Sequence, residues 1–108
     1  MWVRVGSFDV KPGQASSLRA VYNEQAVPKV RACAGNLACL LLEPSEAGGQ
    51  FLAMTIWDTQ SAGDAYDASG AAAQVVALVR EFFAGPPSLR SYESGSVAGF
   101  PTPSGSVA

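Results

Sequence analysis

The side chains best suited to act on a small ligand lie in one stretch, TIWDTQSAGDAYD, at residues 55–67. Trp57 ends an apolar run, and Tyr66 and Asp67 follow it. A neighbouring hydroxyl and carboxylate can orient a phenolic ligand and take its proton, and an indole can form the wall of an aromatic cavity. A second interpretation stays open, in which Trp57 is core packing and Tyr66 with Asp67 is a polar patch on a helix.

Metal, redox and nucleophilic chemistry find no support in the sequence. The chain has no histidine, and Cys33 and Cys39 do not form a CxxC pair. No glycine-rich phosphate loop or nucleophile–base motif is present. We therefore expect no metal and no cofactor, and we interpret both cysteines as small apolar residues.

Length and charge narrow the class of protein further. The 108 residues suit one domain, and 48% apolar with 15% charged residues is an ordinary globular composition. A net charge of −2 without a basic stripe argues against nucleic acid as a partner. The apolar runs are too short to span a membrane. The start, MWVRVGSF, lacks the features of a secretory signal, so we expect a cytoplasmic location.

Turn residues and apolar periodicity predict a strand, a helix and then two further strands over residues 2–58. Residues 2–10 form a strand ended by the turn KPG. Apolar residues at helical spacing from Ala15 to Ala26 predict a helix, and Pro28 is expected to limit it. Residues 36–43 and 51–58 are strands joined by a loop, and we expect them to form an antiparallel hairpin.

The second half predicts an interrupted helix, a last strand and a tail. Thr59 occupies an N-cap position, and the sequence DASG at residues 67–70 interrupts the helix before apolar periodicity resumes. Residues 88–94 alternate as a more polar strand. We therefore predict one domain over residues 1–94 and a Gly/Pro/Ser-rich tail, dispensable for folding, over residues 95–108.

The element order βαββαβ is that of an α+β, ferredoxin-like domain, with a four-stranded antiparallel sheet and both helices on one face. The strand at residues 51–58 is apolar on both faces, with Leu52, Met54 and Ile56 on the side away from Trp57. An antiparallel sheet with one wet face should alternate apolar and polar residues, so a second cover is needed. We predict that this cover is another copy of the chain.

Small residues beside aromatic ones predict a cavity between the sheet and the helices. Ser7, Ala53 and Thr55 are expected to share a sheet face with Trp57 and to leave a hole there. Tyr22 and Phe83 belong to the apolar faces of the two helices and complete the predicted substrate-binding set. For Tyr22, core packing remains the alternative.

The chain resembles the antibiotic biosynthesis monooxygenase (ABM) domain of the dimeric α/β barrel superfamily over residues 2 to about 94. The resemblance rests on the element order, on VPKVRACAGNLACLLLE at residues 27–43, and on FLAMTIWDTQSAGDAY at residues 51–66. It implies two sheets paired face to face in a homodimeric barrel, and pockets between sheet and helices. Family members include cofactor-independent oxygenases of polycyclic phenols or quinols, and haem-degrading enzymes.

The resemblance also assigns expected roles to residues. Trp57 matches the tryptophan that lines the pocket in both enzyme branches. The haem degraders' Asn and His positions correspond to Ser7 and to Tyr66 or Asp67, and without a histidine their usual haem ligation is not expected. The asparagine of the oxygenases corresponds to Ala53. The resemblance thus implies a cofactor-independent monooxygenase of a small aromatic, with Trp57, Tyr66 and Asp67 as catalytic residues, or a non-catalytic dimeric binding or stress-associated module.

Overall fold

The computed structural model describes residues 1–99 and contains one antiparallel sheet. Its four strands are β1 (Trp2–Phe8), β2 (Asn36–Leu42), β3 (Phe51–Trp57) and β4 (Ser88–Glu93). They lie in the order β2-β3-β1-β4, so β1 and β3 are the inner strands. The predicted ferredoxin-like fold and the β2–β3 hairpin are therefore confirmed.

The helices cover one face of this sheet, and all four α-helical segments are short. They are α1 (Ala15–Val21), α2 (Val27–Arg31), α3 (Gln60–Ala68) and α4 (Ala71–Val79). Thr59 caps α3 as predicted, because its side chain accepts a hydrogen bond from the backbone N–H of Ala62 at 3.1 Å. Gly70, at φ +88°, ends α3 and starts α4, which confirms the predicted interruption. In the described residues no helix is long and apolar enough to cross a membrane.

The first helix continues beyond Pro28, contrary to the sequence prediction. A π-helical turn, Tyr22–Ala26, joins α1 to α2, and the backbone N–H of Val27 bonds to the carbonyl of Tyr22, five residues earlier. Pro28 then occupies the first turn of α2, where a backbone N–H is not needed. The wider turn therefore accommodates the proline that a regular α-helix would exclude.

Strand register decides which side chains face the helices. Opposite residues of an antiparallel pair share a face, and β1 pairs Gly6 with Ala53 and Ser7 with Leu52. Ala53 packs against the core under the helices, so Gly6 points towards them and Ser7 points away. The prediction that Ser7 shares a face with Trp57 is wrong, because strand side chains alternate between faces.

Two clusters of buried residues fill the space under the helices. One contains the phenylalanines Phe8, Phe51, Phe82 and Phe83 with Leu18 and Val79. The other gathers around Trp57 and contains Tyr22, Ala26, Val30, Tyr66 and Val75. Between them the sheet carries Ala53, which is partly buried and contacts both clusters. A small residue at this junction leaves room for a cavity.

The sheet face away from the helices is apolar and partly open to solvent. Met54 lies near its centre, opposite Val5 of β1 and Leu40 of β2. Leu40 and Leu42 on the same face remain 38% and 40% exposed. We call this surface the outer face; its apolar members are Val3, Val5, Ala38, Leu40, Leu42, Leu52, Met54, Ile56 and Tyr92. The expectation of a sheet that is apolar on both sides is met, and the predicted dimer stays a prediction.

The division into a domain over residues 1–94 and a tail also stays a prediction. Within the described residues, the last strand ends at Glu93 and no helix or strand follows it. Most of the predicted tail, residues 100–108, lies outside the residues that the structure describes.

Candidate functional site

A cavity of about 390 Å³ opens between the sheet and the helices. Its sheet wall is formed by Arg4, Gly6, Ala53, Thr55 and Leu89. Its helix wall is formed by Tyr22, Tyr66, Asp67, Ala72, Val75 and Val76. Among the described residues, the one heavy atom within 4 Å of a Cβ added to Gly6 would be the carbonyl oxygen of Ala53, at 3.8 Å. The hole exists because Gly6, Ala53 and Ala72 have little or no side chain, and its size suits a planar ligand of a few rings.

Tyr66 and Arg4 form one end of this sheet–helix cavity, and Trp57 packs behind Tyr66. The centroid of the Tyr66 ring lies 4.9 Å from that of the Trp57 ring, with the two rings tilted by 34°. The Arg4 guanidinium also lies over the Tyr66 ring, 5.1 Å from its centroid. Trp57 itself is fully buried. Its Nε1–H donates to Thr55 Oγ1 at 2.9 Å, which fixes the Thr55 hydroxyl. Trp57 therefore supports two lining residues from behind.

An ion pair that is buried on one side only lies beside these rings. Arg4 Nη2 donates to Asp67 Oδ1 at 2.5 Å, and the two side chains are 7% and 49% exposed. Asp67 lies in the last turn of α3, where the helix dipole disfavours a negative charge. The positive charge of Arg4 offsets this unfavourable interaction with the helix dipole. Within the described residues, Asp67 is in turn the carboxylate that pairs with the Arg4 charge.

Burial keeps the hydroxyl groups of the cavity protonated. It raises the pKa of Tyr66 to about 12, although the nearby Arg4 cation opposes the shift. Burial also raises the pKa of Tyr22, whose hydroxyl lies 3.0 Å from Cys39 Sγ, and the pKa of the Cys39 thiol. At neutral pH Tyr66 is therefore a hydrogen-bond donor and not a base, and the acidic side chain that lines the cavity is Asp67.

The structure brings together most of the residues that the sequence predicted for the site. Tyr22, Ala53, Thr55, Tyr66 and Asp67 line the cavity. Three predicted site residues lie elsewhere, and they are Ser7, Trp57 and Phe83.

Each of these three placements has a physical reason. Ser7 points to the outer face because Gly6, its neighbour in β1, takes the inward position. Trp57 lies behind Thr55 and Tyr66, so the prediction that it closes the cavity is corrected to a supporting position. Phe83 lies outside the cavity because its backbone pairs with Val10 and its ring packs on Phe8, 4.5 Å away between centroids.

Sequence reasoning missed Arg4 and Gly6. The signal for both was present, because alternate residues of a strand share a face and Trp2 and Phe8 are clearly apolar. Arg4 and Gly6 follow the same alternation as these two, so a cation and a gap were predictable on the helix-facing side of β1. That Arg4 meets Asp67 depends on how α3 packs on the sheet, which the local sequence does not show.

Fold and cavity together define a ferredoxin-like domain with a small-molecule cavity between its sheet and its helices. The family model for antibiotic biosynthesis monooxygenase matches residues 1–78. The chain therefore belongs to the ABM family. No curated protein matches the chain significantly.

Solved structures show the same fold at low sequence identity. A mutant of MhuD with two manganese protoporphyrin IX molecules bound per active site is 24% identical, with a TM-score of 0.75 over 93% of this chain and 100% of that one. Rv0793 from Mycobacterium tuberculosis is 22% identical, with a TM-score of 0.71 over 90% of this chain and 97% of that one. A Nitrosomonas europaea protein assigned to the antibiotic biosynthesis monooxygenases is 16% identical, with a TM-score of 0.72 over 89% of this chain and 100% of that one.

The porphyrin-bound relative raises the question of whether haem fits this cavity. The chain has no histidine to serve as an axial ligand. Tyrosine binds haem iron after losing its proton, and burial raises the pKa of both Tyr22 and Tyr66. Within residues 1–99, no group of three or more His, Cys, Asp or Glu side chains is placed to hold a metal ion. The residues of this cavity do not fit a haem.

Proposed function

We propose that the protein is a cofactor-independent monooxygenase of an electron-rich aromatic hydroxyl compound or quinol, with the sheet–helix cavity as its active site. The observation that supports this function most is the cavity itself, where an apolar space for a planar ring ends at a hydroxyl donor, Tyr66, beside a carboxylate, Asp67. Membership of the ABM family supports the same class of reaction.

The proposed roles follow from protonation states and burial. Tyr66 donates a hydrogen bond that orients the ligand's oxygen, because its raised pKa keeps it protonated. Asp67 accepts the proton of the ligand's hydroxyl as general base. Trp57 holds Tyr66 and Thr55 in place from the core. The protein therefore needs to bind, desolvate and deprotonate a ligand that itself reacts with oxygen.

The reaction balances without a further redox partner for an anthrone-type ligand. Loss of the hydroxyl proton to Asp67 gives an electron-rich anion that reduces O₂. The ring CH₂ becomes C=O, one oxygen atom of O₂ enters the product, and the other leaves as water with the two hydrogens of the CH₂ group. Asp67 returns the hydroxyl proton to the product, which regenerates the carboxylate. All four electrons that reduce O₂ come from the ligand.

Replacing Asp67 by asparagine is expected to lower oxygen uptake by about 100-fold or more, because asparagine cannot take the proton. Uptake is measured with 1,8-dihydroxyanthrone in the presence of a metal chelator, after subtraction of the uncatalysed rate. Asp64→Asn, at an exposed position of α3 outside the cavity, is the matched control and should retain wild-type uptake. Asparagine at 67 can still accept the hydrogen bond from Arg4, and a thermal melt checks that the variant folds.

Equal uptake by Asp67→Asn and wild type would remove Asp67 from the mechanism. No uptake with any anthrone or hydroquinone, despite tight aromatic binding, would leave the alternative function, a non-catalytic small-molecule-binding module. One observation favours this alternative: the carboxylate that should act as base is already hydrogen-bonded to Arg4 in the ligand-free protein.

We also propose that the protein is a homodimer joined through the outer face. The face presents a contiguous apolar surface in which Leu40, Leu42 and Tyr92 are 38%, 40% and 51% exposed. Monomers rarely leave patches of this kind in water, and a second copy of the same face is self-complementary under two-fold symmetry. Pairing two sheets in this way is the barrel that the family resemblance implies.

A further inference from the structure

Arg4 is a buried cation with an imperfect counter-ion. It projects from an inner strand into the cavity and is 6% exposed, whereas Asp67 is half-exposed and lies at the unfavourable end of α3. Burying a guanidinium costs several kcal/mol unless hydrogen bonds and an opposite charge compensate. A counter-ion that water screens compensates only in part. The ligand-free site therefore favours an additional negative charge next to Arg4.

The guanidinium also has donors left for a ligand. Within residues 1–99 its one hydrogen bond runs from Nη2 to Asp67. No side-chain nitrogen or oxygen in that range is both fully enclosed and without a partner, so Nε and Nη1 of Arg4 reach solvent. Because the rest of the Arg4 side chain is buried, we infer that these two nitrogens reach solvent through the cavity that Arg4 lines. Arg4 therefore has N–H groups without a protein partner at the wall of the space where a ring would bind.

Among the described residues that line the cavity, the other side chains near Arg4 add donors and no second carboxylate. Thr55 Oγ1 accepts the Trp57 N–H, so its own hydrogen remains to be donated. Burial keeps the proton on Tyr66, Tyr22 and Cys39, which face the cavity region from α3, the first helix and β2. The other cation that lines the cavity, Arg80, lies exposed at the rim. This end of the cavity suits an anionic oxygen.

We propose that Arg4 makes the cavity selective for an aromatic hydroxyl bound as its anion, with Asp67 as the counter-ion that the ligand's oxygen replaces. The inference rests on the proposed function, because it assumes an aromatic hydroxyl in this cavity. When Asp67 takes the ligand's proton, the negative charge moves to the ligand's oxygen and stays beside the same guanidinium. Arg4 then offsets the desolvation that would otherwise keep a buried phenol neutral.

The test is a pH titration of bound 2-naphthol without oxygen, so that binding is separated from turnover. Ionised 2-naphthol absorbs at longer wavelength than the neutral form, beyond the absorption of tyrosine. We expect the pKa of the bound probe to be about 1 to 3 units lower in wild type than in Arg4→Gln, the range for an opposite charge within a few ångströms. 2-Methoxynaphthalene, which cannot ionise, should bind about equally to both proteins.

Two further variants separate this role from a structural one. Asp67→Asn should lower the pKa of the bound probe below the wild-type value, because the competing carboxylate is gone. This expected decrease in the probe's pKa can be measured even if Arg4→Gln does not fold. Arg80→Gln is the matched control, since the same substitution at the exposed rim removes a charge that water screens. It should leave the probe's pKa within a few tenths of a unit of wild type.

Three outcomes would overturn the inference. A probe that binds with the same pKa in wild type and Asp67→Asn places the ligand's oxygen away from the Arg4–Asp67 pair. Oxygen uptake by the wild type would then still support a monooxygenase, but with another group as its base. If Arg80→Gln raises the pKa of the bound probe as much as Arg4→Gln does, the charge at the cavity rim, and not Arg4, stabilises the anion. Failure of wild type to bind either naphthalene or larger phenols would reject both the inference and the proposed function.

Discussion

Replacing Trp57 by alanine is expected to lower the free energy of unfolding by about 3–5 kcal/mol, which is the usual cost of deleting a buried large aromatic side chain. Trp57 is fully buried, packs against the Tyr66 ring and donates a hydrogen bond to Thr55. A domain of this size is stable by only about 5–15 kcal/mol, so the variant should be close to unfolding. Chemical denaturation at one fixed protein concentration measures the change, because dimerisation would add to the apparent stability.

Trp57→Phe is the control that separates volume from the hydrogen bond. It keeps most of the ring and loses the indole N–H, so we expect a smaller loss of about 1–2 kcal/mol. Ligand affinity should also fall in Trp57→Phe, because the Thr55 hydroxyl would lose its fixed orientation. A loss below about 1 kcal/mol in Trp57→Ala would contradict the supporting role given to this residue.

Placing a charge at the centre of the outer face is expected to convert a dimer into a folded monomer. Met54→Asp inserts a carboxylate between Val5 and Leu40, where a dimer would bury it without a partner. In the monomer Met54 is only partly buried, so the chain should still fold. Sedimentation of wild type should give twice the monomer mass of 11.1 kDa, and sedimentation of Met54→Asp should give the monomer mass.

Gln74→Asp is the matched control, because it adds the same charge at an exposed position of α4. It should leave the dimer unchanged. Wild type that sediments at 11.1 kDa even when concentrated would show that the outer face needs no second copy. The same result would reject the barrel implied by the family resemblance.

Local sequence signals predicted the elements well, because turns, caps and apolar spacing act within a few residues. Thr59 caps the start of α3, and Gly70 separates α3 from α4, as the sequence predicts. Pro28 misled the prediction, since the π-helical turn that accommodates it depends on packing of the first helix and has no simple residue signal.

The site was predicted less completely, for reasons of register and tertiary contact. Ser7 was placed on the wrong face, although alternation within β1 would have assigned the inward position to Gly6. The sequence leaves Trp57 open between core packing and a cavity wall, because a cavity wall and a supporting layer behind that wall have the same sequence signal. The structure places it in the supporting layer. The ion pair of Arg4 and Asp67 joins residues distant in sequence, and only the packing of α3 on the sheet brings them together.

The most direct test of the account is a crystal structure of the protein with a bound three-ring phenol such as 1,8-dihydroxyanthraquinone, the expected product of the proposed assay. We expect the rings between Ala53 and Val76, with a ligand oxygen within hydrogen-bond distance of Arg4 and Tyr66. Density for the ligand on another surface, with the cavity empty and the Arg4–Asp67 pair undisturbed, would contradict the claim that this cavity is the functional site.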